Sequence, residues 1–131
     1  MLGGRLQTCF GWQVHAGDNP NPRSLRNFPM QATGAEMMRL ACCLATERGL
    51  RVCGVVHDAL LVEASLDEID DVAAQTQATM EEASTIVVPG CVVRTDSTIV
   101  RWPDRFADER GTAMWDLTQR LLTEIQDAVP F

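Results

Sequence analysis

The stretch Arg51-Val52-Cys53-Gly54-Val55-Val56-His57-Asp58-Ala59-Leu60-Leu61-Val62-Glu63-Ala64 decides how this chain folds. Two short apolar runs, 52–56 and 60–62, lie on either side of a polar pair. Runs of that length joined by so brief a connection predict a β-hairpin over about residues 51–64, with His57 and Asp58 at its tip. A carboxylate held there is exposed enough to bind a metal, while both flanking strands anchor it. Mg²⁺ takes oxygen ligands, usually one or two carboxylates completed by phosphates and water. On pattern alone, however, an aspartate in a turn is a turn-former, and His57 is a surface or packing residue.

Upstream, residues 6–15 alternate as a strand would, with Leu6, Thr8, Phe10, Trp12 and Val14 on one face. Asp18-Asn19-Pro20-Asn21-Pro22 reads as a loop. A helix is expected from about Pro29, with Met30, Gly34, Met37, Ala41 and Leu44 as its apolar stripe and Gly49 as its stop. Downstream, Ser65-Leu66-Asp67-Glu68 has the capping-box pattern and opens a second helix. Ile69, Val72, Ala73, Thr76, Met80 and Ala83 are its buried face, and its acids are a solvated one. Pro89-Gly90 is a turn, 91–101 reads as a strand ended by Trp102-Pro103, and a last helix is expected over about 108–127, burying Met114, Leu117, Leu121 and Ile125. The order strand, helix, hairpin, helix, strand, helix predicts an α+β fold: one domain over 1–131, an antiparallel β-sheet with helices packed on one face.

At 131 residues, with 46% hydrophobic and 22% charged residues, the composition is that of a globular protein. No apolar run approaches the roughly 18 residues needed to span a bilayer. Met1-Leu2-Gly3-Gly4-Arg5 holds no signal-peptide core, so a cytoplasmic location and no membrane partner are expected. Five cysteines, with no C-x-x-C pair, read as reduced thiols. The net charge of -7 argues against strong autonomous binding to nucleic acid. That charge is uneven: residues 1–53 hold six arginines against three acids, and the rest holds five against fifteen. Every basic side chain is arginine, which favours bidentate phosphate contacts. A polyanion would therefore meet the N-terminal half.

Two motifs in order sharpen this reading. Arg23, Asn27, Pro29 and Gln31 stand as Arg-x-x-x-Asn-x-Pro-x-Gln, followed by Ala32-Thr33-Gly34-Ala35-Glu36; about twenty residues later comes Val56-His57-Asp58-Ala59. Residues 23–64 thereby resemble the C-terminal palm region of family A DNA polymerases, in which such a stretch opens a palm helix and a Val-His-Asp-Glu motif C sits on a hairpin. The resemblance extends loosely to residue 101, leaving 103–131 as an additional C-terminal helix.

The resemblance implies a palm subdomain and template-directed nucleotidyl transfer in DNA replication or repair. Asp58 resembles the metal-binding aspartate, and His57 the neighbour of the primer terminus. Arg23, Asn27 and Gln31 resemble the side chains along the template–primer minor groove, where acceptors are nearly degenerate and shape is read rather than sequence. Primer–template DNA, a dNTP and Mg²⁺ would be the partners. Ala59 departs from the family's glutamate. Neither an upstream metal aspartate motif nor a basic fingers helix precedes Arg23, so the chain alone is expected to be inactive, either a subunit that a second polypeptide completes or a piece of a once longer polymerase. Two other readings remain: a palm-fold binding module without catalysis, and a small metal-dependent phosphodiesterase pairing Asp58 with Asp96 or Glu63.

Overall fold

A computed structural model of the chain describes residues 4–17 and 21–128; the Asp18-Asn19-Pro20 part of the expected loop and the extreme N-terminus lie outside the described residues. The backbone divides into two compact units, Met1–Ile99 and Val100–Phe131. The fold is α+β, with two small antiparallel sheets and three helices among the described residues. Here the structure corrects the expected single sheet.

The first unit opens with β1 (Arg5–Gln7) and β2 (Gln13–His15), paired antiparallel with Leu6 opposite Val14. The expected continuous strand over 6–15 is thus folded back on itself. Alternation cannot register a reversal, and this one is made by local chemistry. Thr8 Oγ1 accepts from the Trp12 N–H at 2.9 Å, and Gly11 supplies a φ of 88°.

Helix α1 runs Pro22–Glu47, seven residues earlier than expected at its start. Asn21 caps it by accepting the Arg23 N–H at 2.9 Å, and Pro22 occupies the first turn, where its missing N–H costs nothing. Pro29 therefore lies inside the helix, where its ring removes one backbone donor. The C-terminus bears out Gly49 as the stop. Gly49 adopts φ 78°, its N–H reaches the Thr46 carbonyl, and the Leu50 N–H reaches the Ala45 carbonyl, both at 3.0 Å; this is a Schellman motif.

Strands β3 (Arg51–Val56) and β4 (Ala59–Glu63) form the expected hairpin, with a bulge at Cys53 between the Val52 and Gly54 pairs. Helix α2 (Ile69–Val87) follows. Ser65 donates to the Glu68 side chain and the Glu68 N–H bonds the Ser65 carbonyl. The anticipated box is therefore a turn just ahead of α2, and no side chain caps the helix.

The core lies between α1 and α2, which pack together while α1 also meets β3 and α2 meets β4. Ala41 and Ala45 of α1, with Thr76, Thr79, Ala83, Ser84 and Val87 of α2, are buried. Small side chains on both helices allow close approach of the backbones. Of the stripe expected on α1, Ala41 is buried and Met37 and Leu44 are not, while Met30 is 79% exposed. The earlier start of α1 places Met30 in a stretch whose neighbours are also mostly exposed.

Residues 91–101 are not a strand, a further correction. The segment follows α2 instead: the Val93 N–H donates to Ser84 Oγ at 3.0 Å and Gln77 Nε2 donates to the Thr95 carbonyl at 2.7 Å. β-Branched composition reports what a sheet would accept and carries no information on whether a neighbouring strand is available.

In the second unit, helix α3 runs Thr112–Ala128. Asp108 organises the turn ahead of it, its carbonyl accepting the Gly111 N–H at 2.8 Å and its carboxylate the Arg110 N–H at 2.9 Å. The side chains expected to be buried here, Met114, Leu117, Leu121 and Ile125, are all exposed. They share one stripe as the period requires, but a stripe specifies burial only where a packing partner covers it. Among the described residues no helix is long and apolar enough to cross a membrane.

Candidate functional site

The β3–β4 hairpin turns through two residues, His57 and Asp58, with Val56 opposite Ala59. His57 has φ 53° and is the sole described non-glycine residue with positive φ. Positive φ at a central position of a two-residue hairpin loop is typical of the primed turns, where glycine, asparagine and aspartate dominate. A β-carbon there costs about 1–2 kcal/mol, and histidine tolerates it better than bulkier or branched residues do. Both His57 and Asp58 are exposed. The tip thus holds an aspartate clear of the body on two anchored strands, at some backbone expense.

Arg23, Asn27 and Gln31 are exposed on α1 at four-residue intervals, which aligns them along one face over about 12 Å. Arg26 lies beside them, no acid occupies the first turn, and neither arginine has an ion-pair partner among the described residues. The helix macrodipole adds positive potential at the same end. This end of α1 is therefore an electropositive, hydrogen-bonding face within the unit that carries the hairpin tip.

The carboxylates do not gather. Glu63 lies at the far end of β4, beside Arg51 at 3.5 Å. Five residues of strand separate it from Asp58, about 16 Å, so the two cannot share an ion. Asp96 is exposed on the irregular segment after α2. Among the described residues no three His, Cys, Asp or Glu side chains group in a way that could hold a metal ion. One exposed carboxylate does not make a two-metal centre within this chain. An open cleft of about 330 Å³ lies at the hairpin's open end beside Arg51, Glu63, Ser65 and Glu68, remote from the tip.

Sequence reasoning passed over a second constellation, in which the Thr8–Trp12 turn is clasped to α1 through Glu36 and Arg39. The signal that could have found it is the pair of aromatics, Phe10 and Trp12, around Gly11.

The first unit is an α+β segment with one exposed aspartate at a hairpin tip, and comparison with known proteins relates the chain to a class. Over 99 residues, 66% of this chain, it is 34% identical to a thermostable DNA polymerase I of Thermus thermophilus, and equally so to that of Thermus caldophilus. Over 67 residues, 48% of the chain, it is 40% identical to DNA polymerase I of Deinococcus radiodurans. The chain spans only 12% of the length of the Thermus proteins and 7% of the Deinococcus one. A large part of this chain is thus a segment related to bacterial DNA polymerase I, the kinship read from its motifs. No family model matches the chain. No solved structure matches it significantly.

Proposed function

We propose that this chain is a palm segment of a DNA-directed DNA polymerase, with residues 23–101 as the palm-like region and 103–131 as an added helix. The observation that carries the reading is the match to bacterial DNA polymerase I combined with an exposed Asp58 on a strained two-residue turn. In the completed enzyme Asp58 would be one carboxylate ligand of a Mg²⁺ ion, whose contribution is neutralisation of charge on the nucleotide's phosphates. His57 stands beside it at the primer end. Arg23, Asn27 and Gln31 follow the minor groove of the primer–template duplex. In the reaction the primer 3′-hydroxyl attacks the α-phosphate of a dNTP, a new phosphodiester forms, and pyrophosphate leaves. Such a transfer asks chiefly for positioning and charge stabilisation.

The chain by itself should be inactive, because among the described residues no group of side chains that could hold a metal ion joins Asp58. A second polypeptide is the natural source of such a group. Support for that comes from the hairpin, a two-stranded sheet with Val55, Val56 and Leu61 exposed. Open apolar strands at a sheet edge invite another strand. The exposed apolar stripe of α3 favours a second reading, a binding module that keeps the fold without the chemistry.

Primer extension separates the two. Purified chain should extend a primer only together with a polypeptide carrying the missing aspartate and fingers helix, and Asp58→Asn should abolish that extension. Undiminished extension by Asp58→Asn would remove Asp58 from the mechanism, and no extension under any pairing would favour the binding module.

A further inference from the structure

The turn between β1 and β2 is built onto α1 by a buried carboxylate. Glu36 is 2% exposed; its Oε1 accepts from Thr8 Oγ1 at 2.5 Å, and its Oε2 pairs with Arg39. The Arg39 guanidinium carbon sits 5.9 Å from the centre of the Phe10 ring, and the Trp12 ring lies 6.4 Å from that of Phe28, tilted by 53°. Trp12, Ala35, Glu36 and Arg39 line an open cleft of about 280 Å³. So many contacts would ordinarily bury the aromatics. Instead Phe10 is 48% and Trp12 55% exposed, and the Arg39 side chain is 61% exposed.

Two exposed aromatic rings fixed beside a guanidinium are what an unpaired nucleotide needs. Each ring offers a π-face to a base, and a fork of N–H donors is left for a phosphate. Glu36 uses a single side of Arg39 and holds it in place, which lowers the ordering cost of binding. The charge distribution agrees: residues 1–53 carry a net +3 within a chain of net -7. Position matters as well. Ala35 and Arg39 continue the four-residue row of Arg23, Asn27 and Gln31 along α1, so this cleft lies about 6–12 Å further along the helix than Gln31.

We infer that the Trp12 and Arg39 cleft, with Phe10 beside it, is a stacking platform for single-stranded DNA, further along α1 than Arg23, Asn27 and Gln31. It rests on the polymerase reading only in naming DNA, since stacking requires neither metal nor a partner chain. The net negative charge sets the expectation of modest, strongly salt-dependent affinity.

The test uses the full chain with chelator present. With Trp102→Phe and Trp115→Phe, Trp12 is the one tryptophan left of three, and its emission reports the platform directly. Titration with an oligothymidylate of about 12 nucleotides at low salt should quench it saturably. Anisotropy of a labelled oligonucleotide should then show Trp12→Ala weakening binding about 5- to 100-fold, the range expected for one stacked base. Trp12→Phe should restore most of it, a rescue that a merely structural role would not require. Circular dichroism identifies a variant that fails to fold, and Phe10→Ala supplies an independent one. Absence of quenching, equal affinity for Trp12→Ala, or equal affinity for a blunt duplex would each overturn the platform. Because the polymerase reading is tested by primer extension with a partner, either proposal can fail without the other.

Discussion

Arg48, at the C-terminal end of α1, donates from Nη1 to Thr79 Oγ1 on α2 at 2.9 Å. Its Nη2 pairs with Glu82 at 2.6 Å. The two contacts are unequal. Thr79 is buried, whereas the ion pair with Glu82 is about half exposed at both ends, and exposed pairs contribute little. Arg48→Met should therefore cost about 1 kcal/mol through the lost bond to Thr79. Glu82→Gln should cost less than about 0.5 kcal/mol, and less still at high salt. Urea melts at two salt concentrations measure both; equal costs would mean the ion pair carries the contact.

The Glu36 and Arg39 pair has an asymmetry that mutation should expose. Removing Arg39 leaves a buried carboxylate with Thr8 alone, whereas Arg39 itself is largely solvated. Arg39→Ala should cost about 3 kcal/mol and Glu36→Gln nearer 1 kcal/mol, since an amide can still accept from Thr8. Reversal of that order in chemical denaturation would show that the carboxylate is not the buried partner that matters.

Backbone strain at His57 predicts a sign. His57→Gly relieves about 1–2 kcal/mol of left-handed conformation against about 0.5–1 kcal/mol of added unfolded-state entropy, so stability should hold or rise slightly. His57→Val, branched at Cβ, should lose about 1–2 kcal/mol. Thermal melts decide it, and a clearly destabilised glycine variant would contradict the strained turn.

In the second unit, hydrogen bonds from the Arg110 side chain and then its backbone N–H hold the Asp108 carboxyl below its ordinary 3.8, against a small opposing contribution from burial. A carboxyl lowered in the folded state contributes above the ordinary value, and that contribution is lost as pH falls through the lowered one. The Arg110 amide resonance should accordingly titrate with a midpoint below 3.8, and Arg110→Gln should move the midpoint upward. A midpoint at or above the ordinary value would break the assignment.

Local chemistry was readable at several places where it acts over a few residues. Gly49 stops α1 because a left-handed residue is required there. The His57-Asp58 turn is announced by two apolar runs with a two-residue polar break. On α2 helical period places Thr76 and Ala83 in the core, while Ile69, Val72, Ala73 and Met80 of the expected face are only half-buried. Two local signals went unread, the Thr8–Trp12 reversal and the Asn21 cap; the other failures came where a residue's fate depends on a neighbour distant in sequence. Residues 91–101 have strand composition and no strand to pair with, and the α3 stripe has the right period and stays exposed. Likewise, Glu36 looked like one more acid on a helix until the Thr8 turn folded over it.

By itself, the order of residues determined the stop of α1 at Gly49, which segments are helical, and which aspartate stands at a hairpin tip, because torsional preference and periodicity are written locally. Tertiary structure alone decided which apolar stripes find cover, that Glu63 is too far from Asp58 to share an ion, and that Phe10, Trp12 and Arg39 meet beside one cleft. Burial and proximity are properties of pairs brought together by the whole fold.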